Sequence, residues 1–191
     1  MRVVAGSAGG IQLLAPKTDL RPTMDRVKAA IFSSLAEKAP GARVLDLFAG
    51  TGGLGIEALS RGSASAVFVE SDARAVDAIR KNFTRTRLQG EVRQMDVFAF
   101  LDRAAKPGEF DIVFADPPYA KAPGQRDFGA ELLRSATLAA ALAPGGIFVL
   151  EKPPGAPFPA EMQWRCDRVK KYGATEVAYL YPGLHPATDE P

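Results

Sequence analysis

The sequence predicts an open α/β sheet, mostly parallel, with helices on both faces. Three observations carry that expectation. Short apolar runs alternate with stretches of helical periodicity, the pattern of βαβ units with right-handed crossovers. The first strong run, Arg43 to Phe48, enters a glycine-rich loop, Ala49-Gly50-Thr51-Gly52-Gly53-Leu54-Gly55, that opens into a helix. The last two runs have no helix between them, which predicts an antiparallel pair at one sheet edge.

Taken in order, residues 2–5 and 11–14 flank Gly6-Ser7-Ala8-Gly9-Gly10 and predict a small β-hairpin. Thr23 is placed to cap a helix with Asp25 in its first turn and Val27, Ile31 and Leu35 on one face. Pro40-Gly41 closes it. Beyond the glycine loop a helix spans Ile56 to Arg61, with Gly62 as C-cap. Ala66 to Glu70 is the second strand. Residues 73–85 form a helix with Ala75, Ile79 and Phe83 on one face. A short strand at 91–95 ends at Asp96, and a helix follows over 98–104. The buried strand at 110–115 stops at Asp116-Pro117-Pro118-Tyr119, because proline cannot donate to a sheet ladder. A polar loop at 120–126, carrying Lys121 and Arg126, precedes a helix from 127 to 142. Ile147 to Glu151 is a fifth buried strand, and 162–170 with 174–181 make the closing pair around Tyr172-Gly173. The chain thus divides into a hairpin-and-helix extension at 1–40, a sheet domain at 41–182 and a tail at 183–191.

Composition narrows the setting. The chain has 191 residues, 47% of them apolar, enough for one α/β domain with a core. No run approaches the roughly 18 apolar residues a membrane span requires. Cys166 is the single cysteine, which excludes a disulfide framework and a thiolate metal cluster and fits a reducing, cytoplasmic location. The net charge of +2 permits a polyanionic partner without requiring one.

Two ligand classes compete for the glycine loop. Gly50, Gly52 and Gly55 match G-x-G-x-x-G, and Glu70 lies at the distance of a ribose-binding acid, which alone reads as a dinucleotide fingerprint. Asp46 separates the classes. A pyrophosphate beside it would be repelled, whereas an ammonium or sulfonium centre would be attracted. S-adenosylmethionine carries both charges and no phosphate. The expected cofactor site is therefore Asp46, Gly50, Thr51, Gly52, Glu70 for the ribose and Asp96 for the adenine amine, with Val97 or Phe98 covering the ring. Asp96 as a helix cap and Phe98 as core are the structural alternatives. Asp116 and the Pro117 carbonyl offer acceptors to an exocyclic amine, and Tyr119 offers a ring to stack on its base. Nothing in this chemistry needs a metal, and His185, in the expected tail, is read as neither ligand nor base.

At this point the chain resembles the bacterial 16S rRNA guanine-N2 methyltransferases of the type acting on guanine 966. The resemblance runs through Met1-Arg2-Val3-Val4-Ala5-Gly6, the segment Arg21 to Phe32, Leu45 to Gly52, Gly55-Ile56-Glu57-Ala58-Leu59-Ser60-Arg61-Gly62, Phe68-Val69-Glu70, the 116–119 tetrad and Tyr172-Gly173. It implies a class I, Rossmann-like methyltransferase fold with a seven-stranded, mostly parallel sheet, one antiparallel edge strand and a small N-terminal extension. It implies S-adenosylmethionine as cofactor, catalysis around Asp116, Pro117 and Tyr119, and a guanine of 16S rRNA flipped into the pocket. The expected partner is that RNA within a 30S subunit or assembly intermediate, met by a monomer. Arg21 and Thr23, with Lys121 and Arg126, are the expected RNA contacts. The chain departs from the family at Gly9-Gly10-Ile11-Gln12, where basic residues are common, which weakens phosphate contacts there. The rival readings are adenine-N6 methylation of RNA or DNA, and a non-catalytic RNA-binding role in small-subunit assembly.

Overall fold

The computed structural model describes residues 1–15, 25–120, 122 and 124–183. Its centre is a seven-stranded sheet: β1 (Arg43–Leu47), β2 (Ser65–Glu70), β3 (Glu91–Gln94), β4 (Phe110–Ala115), β5 (Leu142–Lys152), β6 (Trp164–Tyr172) and β7 (Thr175–Pro182). Their order is β3-β2-β1-β4-β5-β7-β6. The first five are parallel. β7 is antiparallel to both β5 and β6. The architecture is that of a Rossmann-like class I methyltransferase. The expected antiparallel pair closes the sheet. Its one reversed strand, β7, lies a position inside the edge, and β6 forms the edge itself. Between β1 and β4 the strand order switches direction, and ligands of open α/β sheets bind beyond the carboxyl ends of the strands at such a point.

Side chains alternate across the strands and build two cores. Val44, Ile112, Phe114 and Val149 pack with Val27, Ile31, Phe32 and Leu35 of α1 (Asp25–Leu35), and with Ile56 of α2 (Gly53–Ser60) and Ile79 of α3 (Ala73–Thr86). Leu45, Val113, Phe148 and Leu150 face Phe100 and Leu101 of α4 (Val97–Arg103), Leu132 and Leu133 of α5 (Phe128–Arg134) and Leu138 of α6 (Ala136–Ala141). The helix expected over 127–142 is two helices. Ser135 is extended, at ψ 109°, and its Oγ accepts from the Leu138 N–H at 3.1 Å, capping α6. A serine that bonds nearby backbone in place of the helix ladder is the physical reason for the break. β5 also begins earlier than expected, because Leu142 pairs with Phe110 ahead of a register shift.

The N-terminal hairpin forms with a single bridge, Arg2 to Gln12. It lies against α2 through polar contacts. The Val4 and Ala5 N–H groups donate to the Glu57 carboxylate at 2.6 and 3.1 Å. Ser60 Oγ donates to the Ala5 carbonyl and accepts from the Ala8 N–H. Lys28, fully buried on α1, donates to the Arg2 carbonyl and stands 3.8 Å from Glu57. Arg61 completes the set at 2.7 Å from Glu57. Burial lowers the Lys28 pKa, and the charges of Glu57 and Asp25 oppose that shift. Gly6, at φ +84°, allows the close approach: a Cβ there would lie 1.8 Å from the Ser60 carbonyl oxygen. Asn82 ties the hairpin exit to the glycine loop, donating to the carbonyls of Leu14 and Thr51 and accepting from the Leu14 N–H.

Candidate active site

The carboxyl ends of the parallel strands bring five acids to one edge of the sheet: Asp46, Glu70, Asp96, Asp116 and Glu151. Asp46 is the deepest, 2% exposed, and its Oδ2 accepts from the Gly55 N–H at 2.8 Å. Burial pushes its pKa up to about 8, and the charges of Asp116 and Glu70 add to the rise against the Gly55 hydrogen bond. Gly55 must lack a side chain, since a Cβ would lie 2.3 Å from the Phe68 ring and 3.1 Å from Asp46 Oδ2. Helix α2 therefore starts directly over the acid.

Glu70 shapes the glycine loop. Its Oε2 accepts from the Gly50 N–H at 2.8 Å, and its Oε1 from the Asp72 N–H at 2.9 Å. Each carboxylate oxygen has a second lone pair for a ligand hydroxyl. Gly50 and Gly52 hold φ of +55° and +78°. A Cβ on Gly50 would meet little but the Phe48 carbonyl at 3.9 Å, so the loop leaves open space beside Glu70. Thr51 is buried, its carbonyl held by Asn82. The donor set and the open cradle fit an adenosyl ligand with a ribose diol.

Asp96 caps α4, with Oδ1 accepting from the Ala99 N–H at 3.0 Å, so the structural alternative is realised through one of its two oxygens. Val97 is 4% exposed and belongs to the core. Phe98 stacks on Phe128, centroids 6.3 Å apart, and Phe48 tilts against Phe128 at 5.4 Å. Arg126 covers this cluster. Its guanidinium is 4.7 Å from the Phe98 and Phe128 centroids and pairs with Glu131 at 2.8 Å. Arg126 is thus engaged beside the expected adenine position, with about half of its side chain exposed. Sequence reading missed Phe48, Phe128 and Glu131. Phe48 carried a signal, as a bulky residue between the strand and the glycines; it adopts φ +54°, an uncommon conformation that clusters at functional sites.

Pro117 is buried, and Tyr119 is half-buried with its hydroxyl 2.7 Å from Thr175 Oγ1. Thr175 stands 3.4 Å from both Glu151 Oε2 and the Lys152 carbonyl. Lys152 is paired with Glu176 at 2.7 Å. Beyond the ends of β4 and β5 lies a cavity of about 230 Å³, bounded by Pro117, Tyr119, Leu133, Glu151, Lys152 and Pro157 among others. Glu151 and Thr175 carried no pattern of their own in the sequence. Arg21, Thr23, Lys121 and His185 lie outside the described residues.

A family profile described as Conserved hypothetical protein 95 matches residues 1–181. The chain belongs to the Conserved hypothetical protein 95 family. It is homologous to the small-subunit rRNA methyltransferases. It is 38% identical over 122 residues to ribosomal RNA small subunit methyltransferase D of Escherichia coli K12, a match covering 63% of this chain and 61% of that protein. The Haemophilus influenzae protein of the same name is 37% identical over 123 residues, 62% of this chain and 64% of its own. The matched stretch thus spans under two thirds of these relatives. A hypothetical protein of Thermus thermophilus superposes with a TM-score of 0.79 at 32% identity, over 95% of this chain and 99% of that one. The fold, at 24% identity and a TM-score of 0.69, is also that of a Thermus thermophilus 16S rRNA N2 G1207 methyltransferase solved with AdoMet and guanosine, over 87% of this chain and 46% of that one. The structure also accounts for the segment Glu-Ala-Leu-Ser-Arg-Gly: Glu57 and Ser60 bind the hairpin backbone, and Arg61 pairs with Glu57.

Proposed function

We propose that the protein methylates the N2 amine of a guanine in 16S rRNA, using S-adenosylmethionine. The observation that carries the reading is the Asp116-Pro117-Pro118-Tyr119 turn at the β1/β4 switch point, beside the Glu70–Gly50 cradle. The kinship with small-subunit rRNA methyltransferases supports it. Glu70 would receive the ribose hydroxyls, Gly50, Thr51 and Gly52 would line the loop, and Asp96 would accept from the adenine amine beside Val97. Asp46 favours positive charge above it. Once bound, the cofactor supplies an electrophilic methyl group on a sulfonium.

Asp116 and the Pro117 carbonyl accept hydrogen bonds from the guanine amine and turn its lone pair toward that methyl. Tyr119, fixed by Thr175, stacks on the base. Asp116, or solvent, would take the proton that the amine gives up when it accepts the methyl group. Positioning and fixed electrostatics do most of the work. The protein acts as a cytoplasmic monomer on RNA in a 30S particle or its precursor. Mass mapping of rRNA from a strain lacking the protein tests this: one guanine loses its N2 methyl group. An unchanged set of methylguanines defeats the reading, and a lost N6-methyladenine replaces it with the adenine alternative.

A further inference from the structure

We infer that Glu151 is the residue that selects guanine over adenine, by accepting the N1–H of the bound base. The inference rests on the guanine reading above and adds the means of discrimination. The 116–119 tetrad alone cannot discriminate, because the amines of guanine and adenine are both N–H donors that suit Asp116 and the Pro117 carbonyl. A second group must read the ring nitrogen next to the amine. Guanine N1 carries a proton, whereas adenine N1 carries a lone pair.

Glu151 is placed for that contact. β4 and β5 are parallel neighbours, and Ala115 is in register with Leu150. Asp116, the first residue past β4, and Glu151, within β5, follow that pair, on neighbouring segments about 4.8 Å apart. Alternation carries Glu151 toward the face of Phe114 and Val149, and Asp116 acts on the charge of Asp46, which alternation places on that same face. Glu151 is 5% exposed and lies at the same carboxyl-terminal strand edge as Pro117 and Tyr119. Thr175 joins Tyr119 to Glu151, at 2.7 Å from the phenol oxygen and 3.4 Å from the carboxylate. The ring that stacks on the base and the acid that reads its edge are thereby fixed to one hydroxyl. A nearly buried carboxylate gives strong discrimination, since at low dielectric it attracts an opposing N–H and repels an opposing lone pair. A guanine with its amine at Asp116 offers Glu151 a donor, and an adenine in the same pose offers it repulsion.

The test replaces the mapped target guanine, in ligated small-subunit RNA assembled into particles, by 2,6-diaminopurine. That base keeps the N2 amine and carries a lone pair at N1. For the unaltered protein, kcat/KM should favour guanine by about tenfold or more, the worth of one good base contact. In Glu151→Gln the amide can donate to N1, and the preference should shrink to near unity or reverse. S-adenosylhomocysteine affinity, measured by calorimetry, should stay unchanged and shows that the variant is folded. Should that variant fail to fold, Glu151→Asp keeps an acceptor at a shorter reach, so it should retain the guanine preference with a lower rate. An unaltered guanine preference in Glu151→Gln, or an undiminished rate in Glu151→Asp, overturns the inference. The unaltered protein methylating no guanine overturns the parent reading instead.

Discussion

Asp46 and Glu57 are two buried carboxylates at the same helix, and they have opposite surroundings. Glu57, within α2, has Lys28 and Arg61 beside it and two hairpin N–H groups on its oxygens. Asp46, beneath the start of α2, has one N–H, and the neighbouring charges that move its pKa are acids. A buried charge is tolerated when counter-charges and hydrogen bonds surround it, and otherwise takes up a proton. Glu57 is thus a fastening for the hairpin, complete without ligand. Asp46 is left with a shortage of positive charge that a sulfonium or ammonium group can supply.

The largest break in this comparison is Glu57→Ala. Removing it takes away the buried one of the two carboxylates beside Lys28 and leaves Asp25 at 3.8 Å, and stability should fall by about 3 kcal/mol. Denaturant midpoints would measure it, with the activity of the remaining folded protein preserved. Asp116→Ala comes next, on the other side: kcat should drop about a hundredfold, as for loss of one transition-state hydrogen-bonding group, with little change in melting temperature or cofactor affinity. Single-turnover transfer to unmethylated particles checks it.

Asp46→Asn separates the two acids by pH. Folded Asp46 titrates near 8, against an ordinary value of 3.8. Between those values the folded state binds the extra proton, so stability falls as pH rises from about 4 to 8. The asparagine variant should lack that slope and be more stable than the parent near pH 8. A cation bound above Asp46 favours ionisation, so cofactor affinity should rise with pH toward 8, with proton release seen by calorimetry in two buffers of different ionisation heat. In Asp46→Asn both effects should vanish. The smallest effect belongs to Arg126→Ala. Losing the cover on Phe98 and Phe128 should weaken cofactor binding only a fewfold, the scale of an exposed cation–π contact of about 0.5–1 kcal/mol.

The strands were legible because apolar runs ending in an acid, glycine or proline have few other readings, and those acids are the ones the sheet gathers. Side chains whose meaning depends on distant partners were not legible. Glu151 and Thr175 look like an ordinary strand end and strand start until β5 and β7 are paired. Arg126 reads as a free loop cation until Glu131 and two rings are found around it. Ser135 lay inside the single helix expected over 127–142, and only its cap on Leu138 reveals the break.

The reversed strand sets a timetable. β6 is synthesised before β7, yet β7 is its neighbour and the strand joining it to the sheet. During synthesis β6 must therefore wait for β7 to emerge and pair with β5. Thr175, the first residue of β7, is also the hydroxyl that holds Tyr119. A nascent chain that already contains the glycine loop and the tetrad still lacks the anchor for its base-stacking ring. The site matures only when the last strand has left the ribosome.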